Sequence, residues 1–454
     1  MQRTDRRLVL AVVSLASFLL NFDLAGIIVA MPSIQVAFGA SSDQLSWAQN
    51  SFAVAGCATL PLVGVLGDRL GRARVFCAAA AVFALASVGC AVAQSINQLT
   101  WWRTGQGIGA AAFLALGTAL LADSWGRDVS RTLGFITGAG AIGLSLGPVL
   151  SGALVDVLSW RTLLAIEAGA GALLMIAALV VLTGLASPHR ASVDPIGAFA
   201  ATVAIASTVV FVHLIQSHQG LPALATSAAI TLAGAATFLV RQRSARTPAL
   251  PRAVWKAPGF RVIMALGLLA YIALSSTAFF VSLVAQSIDD WTALAAGLIM
   301  LPVTLGLVLG TLIGPRLTRR IGVRAAVVLG YSACVVGTVA LLGLSTNTVG
   351  WTLVVIGNAI SGLGVGIASP QALAYGLAGV DGQDSGAASS WLWVSRQVGS
   401  SLGFAVLSLL AFSFASLLTG VRMAMIASAI AFLASVAVAM VGIRTRKPVL
   451  TAAS

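Results

Sequence analysis

The chain has 454 residues, of which 59% are hydrophobic and only 9% charged, far below the roughly 25% charged content of soluble domains. That composition excludes a soluble globular protein and points to an integral membrane protein. The formal net charge of +13 does not signal nucleic-acid binding, because the basic residues fall between apolar stretches and form no patch on a soluble face.

Hydropathy, broken at Pro, Gly and charge clusters, predicts fourteen spanning helices at about 8–31, 46–67, 75–94, 98–122, 132–155, 162–185, 196–217, 221–240, 260–287, 292–314, 325–344, 350–378, 389–411 and 423–443. The first follows a basic start, MQRTDRR, but its apolar run is longer than a leader's and lacks a small-x-small cleavage site, so it reads as an uncleaved span. An even number of spans puts both ends on one side. The alternate loops beginning with the N-terminus carry Arg3, Arg6, Arg7; Arg69, Arg72, Arg74; Arg127, Arg131; Arg190; Arg241, Arg243, Arg246, Arg252, Lys256, Arg261; Arg316, Arg319, Arg320, Arg324; and Arg444, Arg446, Lys447. The opposite loops hold only Arg161 and Arg422, against Asp43, Asp156, Asp289 and Asp290. The positive-inside rule then predicts cytoplasmic termini, with the excess charge setting topology and touching membrane lipid.

Two loops resemble each other. GVLGDRLGRAR follows span 2 and GPRLTRRIGVR follows span 10, each a short basic turn with a Gly between apolar helices. This weak repeat predicts two six-helix halves, residues 1–187 and 259–454, with two inserted helices and a polar connector at 188–258. The connector stretch RQRSARTPALPRAVWKAPG is expected along the cytoplasmic surface. Cys57, Cys77, Cys90 and Cys334 sit in apolar runs without ligand spacing and read as packing residues. His189, His213 and His218 are scattered, so neither a metal site nor a catalytic histidine cluster is expected.

The charged residues placed well inside the spans are Asp23, Arg103, Glu167 and Arg396. A mid-membrane carboxylate costs roughly 2.5–3.5 kcal/mol on insertion scales, so it faces a cavity, a partner charge or a proton. On helical rise, Arg103 and Glu167 fall about 8 Å below the outer ends of their predicted helices and Asp23 about 12 Å. Two acids and one base at similar depth make a cluster in which one carboxylate is neutralised by Arg103 and the other takes a proton or a cation. The alternative is a static ion pair that locks helices together. Glu167 is the only glutamate in the chain. Span 5 carries GAGAIGLSLGPVLSG, where small residues at four-residue intervals permit close helix approach and Pro148 bends the helix, either as a hinge or as ordinary packing. Asp68, in the turn with Arg69, Gly71 and Arg72, can cap the next helix or bridge to a basic partner across a cytoplasmic gate.

These residues resemble the fourteen-span drug:proton antiporter branch of the major facilitator superfamily. GVLGDRLGRAR is similar to that family's loop motif at Gly64, Leu66, Asp68, Arg69, Gly71 and Arg72, with Ala73 departing from the usual base. LTWWRTGQGIGAA is similar to its span 4 motif at Leu99, Arg103, Gln106, Gly107, Gly109, Ala110 and Ala111. GLSLGPVLSG resembles its antiporter motif at Gly143, Gly147, Pro148 and Gly152, with Ser151 in place of a Gly. Asp23 precedes Pro32 by the family's nine residues, with Ala25 and Ile28 replacing the usual Thr and Asn, and SRQVGSSLG around Arg396 extends the likeness to span 13. The resemblance implies an all-α fold of two pseudo-symmetric six-helix bundles plus two inserted helices, working by alternating access. It also implies proton coupling through Arg103, conformational coupling through Asp68 and Arg72, and a hinge at Gly147 and Pro148.

The expected function is proton-coupled antiport that exports lipophilic, cationic small molecules, with no cofactor beyond the proton gradient, no nucleic-acid partner and a monomeric state. The cation preference rests on Asp23 and Glu167 as the only intramembrane acids. Phe22, Trp101, Trp102, Gln106, Arg396, Trp391 and Trp393 are the further candidates for a substrate cavity, each aromatic having an interfacial or core role as its alternative. Export of one metabolite or antibiotic, or symport, is the rival within transport. An intramembrane lipid enzyme is the rival outside it, and no Asp-rich, His-rich or Ser/His/Asp grouping in the spans supports it.

Overall fold

The computed structural model describes the whole chain except residues 1–2, 126–128, 184–193, 217–219, 276, 346, 379, 381–384 and 444–454. Arg127, His189, Arg190, His218, Arg444, Arg446 and Lys447 therefore lie outside the described residues. The described residues form helices and no strands: α1 (Arg3–Phe38), α2 (Ser42–Leu70), α3 (Arg72–Ala91), α4 (Ile96–Trp125), α5 (Val129–Val157), α6 (Trp160–Leu182), α7 (Pro195–Gln216), α8 (Leu221–Ser244), α9 (Arg252–Lys256), α10 (Pro258–Leu274), α11 (Thr277–Ser287), α12 (Ala293–Leu298), α13 (Leu301–Ile321), α14 (Val323–Leu341), α15 (Thr348–Leu377), α16 (Ser385–Phe412) and α17 (Leu417–Gly442). They supply fourteen segments long and apolar enough to cross a membrane, the number expected from hydropathy.

One predicted span is not a single helix: the tenth is divided between the six-residue α12 and α13. Several helices also outrun their apolar stretches, α1 by reaching Phe38 through Pro32. Helix ends follow capping rather than hydropathy: α2 begins at a capping box formed by Ser41 and Gln44 and ends at Gly71. Gly71 has φ 103° and Gly322, in the matching turn between α13 and α14, has φ 85°. Both turns need a backbone that a side chain disfavours, which is why the two similar loops share their glycine.

A second repeat is visible on the side away from the termini, here the far face. Arg161, at the start of α6, donates from Nη1 to the carbonyls of Ala91 (3.2 Å) and Ala93 (2.6 Å) at the end of α3. Arg422, near the start of α17, donates from Nη2 to the carbonyl of Leu344 (2.7 Å) beyond the end of α14. In each half the sixth span thus satisfies the open carbonyls of the third. The two basic residues that interrupt the far-side charge pattern have this structural work.

The far ends of both halves share one apolar cluster, in which Met31, Ile34 and Trp160 of the first half meet Phe279, Phe280, Phe404 and Leu407 of the second. On the terminal face the cores separate. One is built from α1, α2, α3, α4 and α6, joined by Val394 of α16, and another from α10, α14, α15 and α17. The halves are therefore sealed at the far face. Outside the bundle, side chains such as Leu85 and Leu232 are exposed, as a lipid-facing surface requires.

The inserted pair lies at the seam. α7 packs on α2 and α16, one from each half, while α8 packs on α7 and buries only Ser227 and Gly234. Thr231 and Ser227 of α8 hydrogen-bond to Ser207 of α7. Asp194, just before α7, pairs with Arg241 of α8 at 2.9 Å. Burial works against the Asp194 charge, but Arg241 and the backbone N–H groups of Gly197 and Ile196 hold its carboxyl below the usual carboxylate range. The connector that follows is strapped to the terminal face: Trp391 Nε1 donates to the Ala249 carbonyl at 3.0 Å, and Leu250 and Val254 are buried with Phe260 and Leu392.

Candidate functional site

Asp23 of α1 and Arg103 of α4 are fully buried and form an ion pair, with Nη1 to Oδ1 at 2.6 Å. The same nitrogen donates to Gln106 Oε1 at 3.0 Å. Gln106, one turn along α4, passes the chain to α3 by donating to Ser87 Oγ at 2.9 Å and accepting from Cys90 Sγ at 3.3 Å. The Arg103 guanidinium lies over the Phe52 ring of α2, 4.6 Å from its centroid. Glu167 of α6 is only 2% exposed and feels the charge of both Asp23 and Arg103, yet neither of its oxygens makes a hydrogen bond of normal geometry among the described residues. Asp23 Oδ2 and Arg103 Nε and Nη2 are likewise unsatisfied. Three helices, α1, α4 and α6, thus bring two acids and one base together away from water. The arrangement has unused hydrogen-bonding capacity, unlike a fully satisfied structural pair.

Gln106, expected as a cavity residue, is part of this ion-pair network. Trp101 and Trp102 are not: they lie near the far end of α4, 76% and 43% exposed. Phe22 turns into the far-face core and stacks on Phe18 at 5.7 Å. Trp391 is occupied by the connector and by Phe238 of α8, whose ring is 5.4 Å away. Only Trp393 stays beside a candidate charge, with its ring 5.5 Å from the Arg396 guanidinium.

The small residues of α5 face two ways. A Cβ on Gly143 or Gly147 would meet the α1 backbone at Phe18 or Phe22, so α5 lies against the helix that carries Asp23. A Cβ on Gly152 would meet Ala293 and Leu294 of α12, and Gly297 of α12 comes equally close to the Pro148 carbonyl. The segment therefore touches the charge-bearing helix on one side and the opposite half on the other. One turn farther, Asp156 accepts hydrogen bonds from the N–H groups of Ala293 (2.9 Å) and Leu294 (2.8 Å), while Thr292 caps Ala295. A carboxylate from the first half thus caps a helix of the second.

Arg72 is held within the first half. It donates to Asp68 Oδ1 from Nε (3.1 Å) and Nη2 (3.0 Å), and its Nη1 reaches both Asp123 oxygens at 2.8 and 2.9 Å. In this structure Arg72 thereby ties the turn at Gly71 to the terminal end of α4. Asp123 was not a sequence candidate and Asp156 counted only as a far-side loop charge, because each acquires its role from a helix distant in the chain.

The sequence pattern of the Major Facilitator Superfamily matches residues 13–404. The chain belongs to that superfamily. It is 27% identical over 412 residues to the multidrug resistance protein Stp of Mycobacterium tuberculosis, covering 90% of this chain and 76% of that protein. It is 31% identical over 404 residues to the cephamycin export protein CmcT of Amycolatopsis lactamdurans (86% and 82% covered) and 25% identical over 417 residues to the methylenomycin A resistance protein of Streptomyces coelicolor (91% and 87%). Among solved structures, the fold is similar to a mutant of the nucleoside transporter NupG (TM-score 0.67, 15% identity, 97% and 100% covered). It is also similar to a bacterial homologue of the human lysosomal transporter Spinster (TM-score 0.66, 15%, 97% and 98%). The chain is a multi-pass inner-membrane transporter and not an enzyme.

Proposed function

We propose that this transporter exports lipophilic small molecules by proton-coupled antiport. The observation that carries the reading is the buried cluster of Asp23, Glu167 and Arg103, in which one base faces two acids. Arg103 neutralises Asp23, and in this reading the second negative charge is met by a proton. Reprotonation and release then shift which acid Arg103 holds, and α5, in contact with both α1 and α12, carries that change to the seal between the halves. The resemblance to relatives named for multidrug resistance and drug efflux supports export.

The excess of Lys and Arg supports cytoplasmic termini, so the sealed far face is extracytoplasmic and the state is inward-facing. Halves bounded at 1–187 and 259–454, with 188–258 as the insert, fit the placement of α7 and α8 at the seam. Membrane lipid surrounds a monomer in this reading, and no cofactor takes part. The two acids on which the expected preference for cations rests, Asp23 and Glu167, are both buried in this state, so cargo charge is a separate question. Export of one antibiotic is the second reading, favoured by relatives named for cephamycin export and methylenomycin A resistance.

The test is efflux of a fluorescent lipophilic panel from proteoliposomes under an imposed pH gradient. Gradient-dependent transport that is abolished by Asp23→Asn or Glu167→Gln is expected. Transport that ignores the gradient, or survives both substitutions, overturns proton coupling. Transport confined to one panel member favours the second reading.

A further inference from the structure

We infer that Arg396 anchors a cargo subsite for an organic carboxylate on an aromatic or lipophilic body. The inference rests on the transporter reading but not on proton coupling. Arg396 lies inside α16, and its depth follows from two contacts between the halves: Asn50 Nδ2 donates to the Ser401 carbonyl at 3.1 Å and Cys57 Sγ to the Val394 carbonyl at 3.8 Å. Phe52 of the same α2 lies under Arg103, so Arg396 sits within about one helical turn of the level of the buried ion pair. The two arginines are then at similar depth in opposite halves.

Their surroundings differ. Arg103 is fully buried and has Asp23, whereas Arg396 is partly exposed and, among the described residues, makes no ion pair. Its Nη2 donates to Ser369 Oγ of α15 at 3.2 Å. The Tyr271 ring of α10 and the Trp393 ring of α16 each have their centroid 5.5 Å from its guanidinium carbon. Gly267 of α10 lets that helix approach the Arg396 stem closely: a Cβ there would stand 3.2 Å from Ser395 Oγ and 3.4 Å from Arg396 Cγ. Three helices therefore converge on one guanidinium with a hydroxyl and two aromatic rings, and none brings an acid.

Aromatic faces offset only part of the cost of a bare cation at this depth. The remaining planar donors match the two oxygens of a carboxylate, and the flanking rings suit a flat apolar body attached to it. The second half thereby presents what the first half withholds: a charge reachable by cargo.

The experiment compares three dansyl probes of similar size: dansylglycine (anion), dansylglycinamide (neutral) and dansylethylenediamine (cation). Binding to the purified full-length transporter is read by energy transfer from tryptophan, without a proton gradient. Dansylglycine is expected to bind at least about tenfold more tightly than the amide, the scale of one charge-assisted pair. Arg396→Gln should bring that ratio to about one while amide binding persists, and Arg396→Lys should keep part of it. Equal binding of the three probes, preference for the amine, no saturable dansylglycine binding, or an unchanged ratio in Arg396→Gln overturns the subsite. Should Arg396→Gln fail to fold, the wild-type ratio and Arg396→Lys still decide. Loss of gradient-driven efflux leaves this ratio intact, so the two proposals fail separately.

Discussion

The two halves of the molecule handle charge in opposite ways. In the first, Asp23, Glu167 and Arg103 are drawn together by three helices and shut from solvent, with Gln106, Ser87 and Cys90 extending the network. In the second, Arg396 has Ser369, Tyr271 and Trp393 for company, no ion-pair partner among the described residues, and partial exposure. The halves nonetheless repeat in their scaffolding: Gly71 and Gly322 make the same turn, and Arg161 and Arg422 close the same helix ends. The halves thus share what holds each together and differ in how they hold charge.

The largest effect should come from removing the charge that compensates the first half. Arg103→Gln leaves two buried carboxylates without a base, and loss of one partner of a buried pair costs about 3–5 kcal/mol. A marked drop in thermal unfolding temperature with loss of gradient-driven efflux is expected, and Asp23→Asn combined with Arg103→Gln should recover stability but not transport. If the single substitution leaves both unchanged, the first half is not the charged centre and the contrast between halves collapses.

A smaller effect tests the shared scaffold. Gly71→Ala and Gly322→Ala each place a side chain on a backbone that strains it by about 1–3 kcal/mol, with no steric neighbour nearer than 4.0 Å to confuse the comparison. Similar losses of unfolding temperature are expected for both. Slower transport is expected for Gly71→Ala alone, because only that turn positions Arg72 between Asp68 and Asp123. Equal slowing in both would make the turns functionally equivalent.

The smallest expected effect lies where the halves meet. Asp156→Ala removes the cap on α12, a change of about 0.5–2 kcal/mol. The far face should open more often, read as faster thiol labelling of a cysteine placed at Met31 in the shared far-face cluster. Unchanged labelling would show that the apolar cluster alone keeps the face sealed.

Sequence reading reached the spans and the principal charged residues by different routes. The fourteen spans were legible because apolar length follows directly from bilayer thickness. The break between α12 and α13 was not, since an interrupted helix keeps the same mean hydropathy. Asp23, Arg103 and Glu167 stood out as charges in apolar runs, and the structure brings them together. Trp101 and Trp102 lay in the same motif as Arg103 but point outward, because helical spacing alone does not say which face meets the bundle.

The amino-acid sequence by itself determined the membrane class, the number of spans, the family motifs and the sparse set of intramembrane charges, because each is a local property of composition, length or spacing. Only the tertiary structure decided that Asp23 pairs with Arg103, that Asp156 caps a helix of the opposite half and that Arg396 has no acidic partner among the described residues. Those outcomes depend on which helix faces meet. Close packing of many small residues, spread along the whole chain, settles that choice.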